Sequence, residues 1–252
     1  MLFKLVHRDT YARREHYEHY REQHCTVSIT VPIDVTDLCP VLKQRQLKTH
    51  PTLLWLVSSV VNALQEFRME RDAQGRLGFY EVLHPVYTIM QEQTKTFSCL
   101  WTQFSSSFKE FHRAYCADVK HYADGSLAPQ KDYPPNVFPI SCIPWVDFTA
   151  LHLSFKEQNL LPIFTIGKIA EHSGSMVMPL AIQVHHAVCD GYHIGQFVDR
   201  TPRAMDRPVT TKSPIPHALP GGLDAFCASS FQEQKSLLEW RCLRERVVSG
   251  FI

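Results

Sequence analysis

Residues 176–193 read Met176-Val-Met-Pro-Leu-Ala-Ile-Gln-Val-His185-His186-Ala-Val-Cys189-Asp190-Gly191-Tyr-His193. The apolar run that leads into the two histidines pairs naturally with a second one, Leu161–Ala170. The intervening His172-Ser-Gly-Ser175 reads as the turn of a buried hairpin. A strand sends adjacent side chains to opposite faces, so only one of His185 and His186 can enter a given cleft. Gly191 permits a tight turn or a positive φ, and a short helix is expected to start after it.

A neutral imidazole that titrates near physiological pH can take a proton from an alcohol or thiol. Asp190 can orient such a histidine directly, or brace the loop through an arginine elsewhere. Three other readings compete. His185, His186 and His193 offer metal-ligating nitrogens, but neighbours on a strand diverge and chelate poorly. Cys189 offers a thiolate nucleophile, although a lone cysteine in an apolar run is more often packing. A purely structural histidine pair is the third.

Outward from this segment, residues 11–23 are charged, aromatic and free of Gly and Pro, which predicts a helix. Val27, Ile29, Val31, Ile33 and Val35 alternate as in a half-buried strand, with Pro32 on the other face marking an edge or a bulge. Helices are expected over Asp37–Lys48 and from Pro51, a residue suited to a first helical turn, to about Phe67. Asp72-Ala-Gln-Gly75 reads as a turn, with strands at Phe79–Val82 and Pro85–Gln91. Phe97, Trp101, Phe104, Phe108, Phe111 and Tyr115 recur at spacings of four and three, which predicts one helix over 97–122 packed on a sheet. A Pro-rich loop around Pro129–Pro139 leads into Ile140-Ser-Cys-Ile-Pro-Trp145. Helices interleaved with several strands give the fold class: an α/β two-layer sandwich, its mixed and largely antiparallel sheet covered by helices.

The chain has 252 residues, enough for one to two domains at about 150 residues each. Its 26 Lys+Arg against 25 Asp+Glu leave a net charge of +1, without the basic excess of a nucleic-acid binder. The longest apolar stretch, Leu53–Leu64, is interrupted by serines and Asn62 and is too short to span a bilayer. Charged residues follow soon after the N-terminus, leaving no signal-peptide core before them. Eight cysteines stand at least 14 residues apart, so zinc-ribbon and thioredoxin spacings are unsupported. The reading is a soluble, cytoplasmic protein with reduced thiols and neither nucleic-acid nor membrane partner. Composition changes after Arg200: residues 201–222 hold five of the 16 prolines, followed by a candidate helix from Ser230 with Glu233 completing a capping box. Residues 1–200 therefore read as one domain. Residues 201–252 read as an atypical Pro-rich C-terminal extension peripheral to that domain, and the prolines of 201–222 are expected to keep that stretch out of regular helix or central strand and on the surface.

The longer segment His185-His-Ala-Val-Cys-Asp-Gly-Tyr-His193 resembles the active-site signature of chloramphenicol acetyltransferases. Its HHxxxDG core is shared with the acyltransferase component of 2-oxo acid dehydrogenases and with peptide-synthetase condensation domains. Further segments resemble the same family in the same order: Arg13-Arg-Glu-His-Tyr17, Glu66-Phe-Arg-Met69, Phe97-Ser98, Ile140-Ser-Cys-Ile-Pro-Trp-Val146, Phe164-Thr165 and Met178-Pro-Leu-Ala-Ile-Gln-Val184. The resemblance covers about residues 4–199.

The resemblance implies a chloramphenicol acetyltransferase-like fold and a direct transfer of acetyl from acetyl-CoA, a co-substrate, to the primary hydroxyl of chloramphenicol. No permanently bound cofactor or metal is implied. His186 matches the general base and Ser141 the serine that stabilises the tetrahedral oxyanion. Thr165 matches a threonine that assists through water, and Asp190 a carboxylate paired with an arginine, here Arg13. Tyr20, Cys25, Phe97, Cys99 and Leu153 fall where family members line the drug site, and Trp145 and Lys168 near the coenzyme tunnel. The family is a homotrimer with interfacial active sites, His186 coming from one subunit and most of the drug pocket from its neighbour.

Some positions depart from the family pattern. His50 stands where relatives often have tyrosine near the coenzyme, Val27 replaces a frequent aromatic, Cys99 a small residue, and His152-Leu-Ser154 a common Asn-Leu-Asn. Residues 201–252 match no family pattern, as either a fused or frame-shifted extension or an accessory segment. Two further functional readings stay open: acetyl transfer to another hydroxylated acceptor, and binding of a hydrophobic ligand without turnover. The complete His186, Ser141 and Asp190 set argues against the second, since a binder has no need of all three.

Overall fold

The two apolar runs flanking His172–Ser175 pair antiparallel in the computed structural model, which describes residues 3–91, 94–122, 132–154 and 159–210. In chain order the elements are β1 (Phe3–Leu5), α1 (Arg14–Glu22), β2 (Thr26–Asp34), α2 (Leu38–Gln44), α3 (Thr49–Ala63), β3 (Met69–Arg71), β4 (Leu77–Tyr80) and β5 (His84–Gln91). Then come β6 (Thr96–Trp101), α4 (Phe108–Tyr122), β7 (Val137–Cys142), β8 (Ile163–Ile166), β9 (Ala170–His172), β10 (Ser175–His185) and α5 (Gly191–Thr210). Short 3₁₀ turns cover Arg8–Thr10 and Glu66–Arg68.

The main sheet has the order β2-β10-β8-β7-β5-β6, with β9 added to β10, and a small sheet has the order β1-β4-β3. β7 pairs parallel with both β5 and β8, and every other pairing is antiparallel. This is the expected mixed, largely antiparallel sheet. β2 is its edge, in accord with Pro32. Ser173 and Gly174, at φ of 52° and 86°, form the two-residue turn between β9 and β10.

Register separates the two faces of the sheet. Leu180 and Ile182 of β10, Phe164 and Ile166 of β8, Phe138 and Ile140 of β7, Tyr87 of β5 and Leu100 of β6 share one face and are at most 2% exposed. Burying each such side chain contributes about 1.5–3 kcal/mol. Helices supply the other half of this core: Leu54, Trp55 and Val61 of α3, Phe111 of α4 and Phe197 of α5 are at most 2% exposed. α3 packs against both α4 and α5. The opposite face carries Thr165, Ser141, Cys99 and Phe97.

Several boundaries differ from the sequence reading. The helix expected over 97–122 begins only at Phe108, and Phe97–Trp101 belong to β6. The separation of four between Phe97 and Trp101 is a multiple of two as well as about one helical turn, so it fits either period. Cross-strand pairing with β5 decides for the strand. Phe108, Phe111 and Tyr115 keep the predicted helical stripe and are buried. The expected loop through Pro139 is already β7 from Val137.

The strand expected over Phe79–Val82 lies at Leu77–Tyr80. α2 stops at Gln44 because Gln46, at φ 52°, closes a Schellman motif with Leu47 N–H donating to the Leu42 carbonyl at 2.9 Å. α3 ends at Ala63, before a 3₁₀ turn that holds Phe67.

The largest correction concerns the expectation that residues 201–222 leave regular helix. Regular structure does not stop at Arg200, and α5 runs on to Thr210 through Pro202. A proline inside a helix removes one hydrogen bond and costs about 3 kcal/mol. Tertiary anchoring outweighs this: Ile194, Phe197 and Thr201 are buried, and the Thr201 hydroxyl donates to the Phe197 carbonyl at 2.9 Å. Gly191 is not at positive φ and forms the first residue of α5. The candidate helix from Ser230 lies outside the described residues.

Two buried histidines give the fold a pH response. His50 Nδ1 lies 2.8 Å from the Tyr115 hydroxyl, and burial pushes its pKa down to about 4. His185 falls to about 4 through burial and then the nearby charge of Arg71. The unfolded chain takes up these protons below about pH 6.5 and the folded chain does not. Stability is therefore full above pH 6.5 and is lost as the pH falls towards 4. Urea denaturation at pH 7 and pH 4.5 should show this loss, and His50→Phe should make it smaller; an unchanged loss would assign it to other groups.

Candidate active site

The end of β10 is shaped by the end of α1. His24, at φ 51°, closes α1 in a second Schellman motif, with Cys25 N–H donating to the Tyr20 carbonyl at 3.2 Å. This turns the chain so that the Cys25 carbonyl accepts the His186 backbone N–H at 2.8 Å. It also lays the Tyr20 ring on the His186 imidazole, centroids 3.9 Å apart. The two histidines diverge as expected. His185 is 3% exposed and its Nδ1 accepts the Ala187 N–H, while His186 is only partly buried.

His186 Nδ1 lies 3.1 Å from the Cys189 carbonyl oxygen. A carbonyl only accepts, so Nδ1 carries the proton and the lone pair is on Nε2. That is the protonation state a general base needs. The Cys189 thiol is 1% exposed, and burial together with the nearby Glu66 charge raises its pKa well above the usual thiol value. A protonated, buried thiol fits packing and not a nucleophile.

Asp190 does not touch His186. Its Oδ2 accepts from an Arg13 guanidinium nitrogen at 2.7 Å, and its Oδ1 accepts the Tyr192 N–H at 3.0 Å, capping α5. The arginine brace is thus the arrangement present. Burial alone would raise the Asp190 carboxyl, but the Arg13 hydrogen bond and the His193 and Arg13 charges hold it below the usual carboxylate range. His193 is buried with Nδ1 2.8 Å from Oδ1. Among the described residues no group of three His, Cys, Asp or Glu is placed to hold a metal ion.

The other resemblance-derived residues form a second group. Ser141 and Thr165 are register partners on β7 and β8, on the face opposite the core. These strands are parallel, so the loops after both emerge at one end. There Lys168 N–H donates to the Val146 carbonyl at 2.9 Å, beside Trp145, which is 57% exposed. Gly167 is required in this loop, because a Cβ would meet Pro179 Cγ at 2.5 Å and the Phe148 ring at 2.8 Å. Phe97 and Cys99 share the Ser141 face through the β6–β5–β7 register. Leu153 is held by the Gln183 side chain, which accepts its N–H at 3.0 Å and donates to its carbonyl at 2.8 Å. His152 Nδ1 bonds Ser28 Oγ at 2.7 Å.

Within one chain these two groups do not meet. Thr165 pairs with Ala181, five residues before His186 on β10, a separation of about 17 Å along an extended chain. Tyr20, Cys25, Arg13, Asp190 and His186 come together, whereas Ser141, Thr165, Trp145 and Lys168 gather elsewhere on the sheet. The reading from sequence missed two features of the first group, the Cys189 carbonyl as partner of His186 and the carboxylate contact of His193. His193 stands in the quoted signature, but a backbone acceptor leaves no mark in side-chain identity.

Arg13 and Asp190 are each about a quarter exposed. Removing either should cost about 1.5–3 kcal/mol, the range of a charge-assisted hydrogen bond. A double-mutant cycle of Arg13→Met and Asp190→Asn, followed by urea denaturation, should give a double variant less damaged than the sum of the singles. Because the folded Asp190 pKa is depressed, the contribution is complete above about pH 4 and disappears below it. Strict additivity at pH 7 would show that the pair is uncoupled.

The sequence model of the chloramphenicol acetyltransferase family matches residues 1–201. The chain is 44% identical over 202 residues to a chloramphenicol acetyltransferase of Bacillus pumilus, covering 79% of this chain and 91% of the relative. It is 40% identical over 211 residues to one of Staphylococcus aureus, covering 82% and 98%. Among solved structures, a chloramphenicol acetyltransferase superposes with a TM-score of 0.74 at 21% identity, over 81% of this chain and all of that one. A probable dihydrolipoamide acetyltransferase from Listeria monocytogenes shares the fold at a TM-score of 0.58 and 11% identity, over 83% of this chain and 96% of that one. With its HHxxxDG segment, its sheet topology and a family match that spans four fifths of its length, the chain belongs to the chloramphenicol acetyltransferase family.

Proposed function

We propose that this chain is a chloramphenicol O-acetyltransferase that moves the acetyl group of acetyl-CoA to the primary hydroxyl of chloramphenicol and so confers resistance. The observation that carries the reading is the His186 imidazole, with Nδ1–H held by the Cys189 carbonyl, one ring face on Tyr20 and its Nε2 lone pair available. Nε2 takes the hydroxyl proton as the oxygen attacks the thioester carbonyl. The Ser141 hydroxyl donates to the developing oxyanion, a contact worth about 10²–10³ in rate. Thr165 assists through water. Collapse expels the coenzyme thiolate, which recovers the proton from His186. Arg13 and Asp190 hold the loop and take no proton.

Tyr20, Cys25, Phe97, Cys99 and Leu153 line the acceptor site in this reading, and Trp145 and Lys168 the coenzyme approach. A homotrimer with interfacial sites is supported by the separation of about 17 Å inside one chain. A neighbouring copy is needed to bring Ser141 and Thr165 opposite His186. The exposed Phe97 and Leu153 on the sheet's open face fit such an apposition. Among the described residues no helix is long and apolar enough to cross a membrane, which is compatible with a cytoplasmic enzyme. A second acceptor class is favoured by one feature, the His152–Ser28 hydrogen bond beside Leu153. It adds polar groups next to the proposed drug pocket, and a panel of hydroxylated acceptors compared by kcat/KM separates the two readings.

His186→Ala should lower chloramphenicol-dependent thiol release from acetyl-CoA by about 10²–10⁴, with the circular dichroism spectrum unchanged. Full activity in that variant would remove the assignment. His185→Ala should act through stability instead, since that side chain is buried.

Residues 201–252 are proposed to be peripheral to the acetyltransferase domain of residues 1–200, an assignment supported by the end of the family match at residue 201. A chain ending after Thr210 keeps all of α5. It should retain acetyl transfer and the elution volume of a trimer, and loss of either would make the extension part of the working enzyme.

A further inference from the structure

The base is held through one peptide bond, and that peptide has a second grip on it. The carbonyl that accepts His186 Nδ1–H belongs to Cys189, so the rest of the same peptide unit is the Asp190 amide. Whatever fixes Asp190 also fixes the direction of that carbonyl.

Asp190 is held at both carboxylate oxygens. Arg13 takes Oδ2 at 2.7 Å from the start of α1, and the Tyr192 N–H takes Oδ1 at 3.0 Å from the first turn of α5. His193 Nδ1 lies 2.8 Å from Oδ1 as well. The Asp190 N–H donates to the same ring nitrogen at 3.2 Å, so the imidazole holds the peptide in question directly. A backbone N–H only donates, so Nδ1 is the acceptor of that hydrogen bond. The His193 side chain is 8% exposed and its ring is wedged edge-on to Tyr192, which leaves little freedom to swing away.

The geometry points to His193 as a positioning residue for His186: its Nδ1 clamps the Asp190 N–H as acceptor, which fixes the Cys189–Asp190 peptide and thereby the carbonyl that selects the Nδ1–H tautomer of the base. The inference rests on the assignment of His186 as that base. Without the clamp, the Asp190 carboxylate keeps Arg13 and the Tyr192 N–H, but the Asp190 backbone N–H loses its acceptor. The 189–190 peptide can then tilt. His186 then spends part of its time with the proton on Nε2, where it cannot accept one from the acceptor hydroxyl. A tautomeric loss of this kind lowers kcat and leaves substrate binding alone, because His193 contacts neither proposed substrate site.

Three variants of the full chain test this. His193→Asn places an amide oxygen where Nδ1 stands, His193→Gln reaches instead to the position of Nε2, and His193→Phe fills the space with no acceptor. With ¹⁵N-histidine labelling, the ring nitrogens of His186 should report the Nδ1–H tautomer in the wild type and in His193→Asn. A mixture is expected in His193→Gln and His193→Phe. kcat for chloramphenicol acetylation should fall about tenfold to a hundredfold in Gln and Phe, the scale of a mispositioned catalytic group, and recover in Asn, with KM for both substrates little changed. If Phe does not fold, the comparison of Asn with Gln decides.

A folded Gln or Phe variant with the wild-type tautomer and kcat overturns the inference. So does an Asn variant as impaired as Gln. The tautomer signal is read on the protein alone, so it stands even if the wild type fails to acetylate chloramphenicol. That failure would count against the proposed function and not against the clamp.

Discussion

The carboxylate of Asp190 is the point on which the site depends. It joins the first residue before α1, through Arg13, to the first turn of α5, through the Tyr192 N–H and His193. Between those helices passes the loop that leaves β10, and its Cys189 carbonyl sets the protonation pattern of His186. A partly buried carboxylate carries a desolvation cost, and here several donors outweigh it, so that Asp190 stays ionised through the neutral range. α1 in turn brings Tyr20 under the imidazole, because its left-handed His24 redirects the chain into β2. The His186 imidazole is thus oriented from two sides by elements that are distant in sequence.

The sheet divides the labour by face. One face is covered by helices and carries the aromatic and aliphatic core, while the other presents Ser141, Thr165, Cys99 and Phe97. Strand geometry enforces the division, since a period of two gives each strand one buried row and one free row. It also sets the distance between His186, at the tip of β10, and Thr165, which pairs lower down the same strand. The open face also exposes apolar side chains, Phe97 among them.

His50 shows how a departure from the family pattern can be absorbed locally. It stands at the start of α3, hydrogen-bonded to Tyr115 of α4 and edge-on to Tyr87 of β5. Burial keeps it neutral, so it behaves as a polar member of the core. His152 is the contrasting case. It lies on the exposed side, bonded to Ser28, beside the segment proposed to line the acceptor site. The two substitutions are equally conspicuous in sequence and differ entirely in what surrounds them.

Local sequence alone determined the β9–β10 hairpin, the alternation of β2, α1, α3 and the residue types of the site. Each is set by contacts within a few positions: a turn, a period of two, a proline in a first helical turn. The HHxxxDG segment marked out His186 and Asp190 by side-chain identity, whereas the pairing of Asp190 with Arg13 came only from the family resemblance and is present in the fold. Only the tertiary structure decided that Phe97–Trp101 is a strand, since a spacing of four suits both periods and pairing with β5 is what separates them. Only packing against α3 carried α5 past Pro202, against a local preference of about 3 kcal/mol. The partner of His186 Nδ1 is a backbone carbonyl, and the distance from His186 to Thr165 is a matter of cross-strand register. Neither is written in residue identity, because both arise from where the folded backbone places groups that every residue carries.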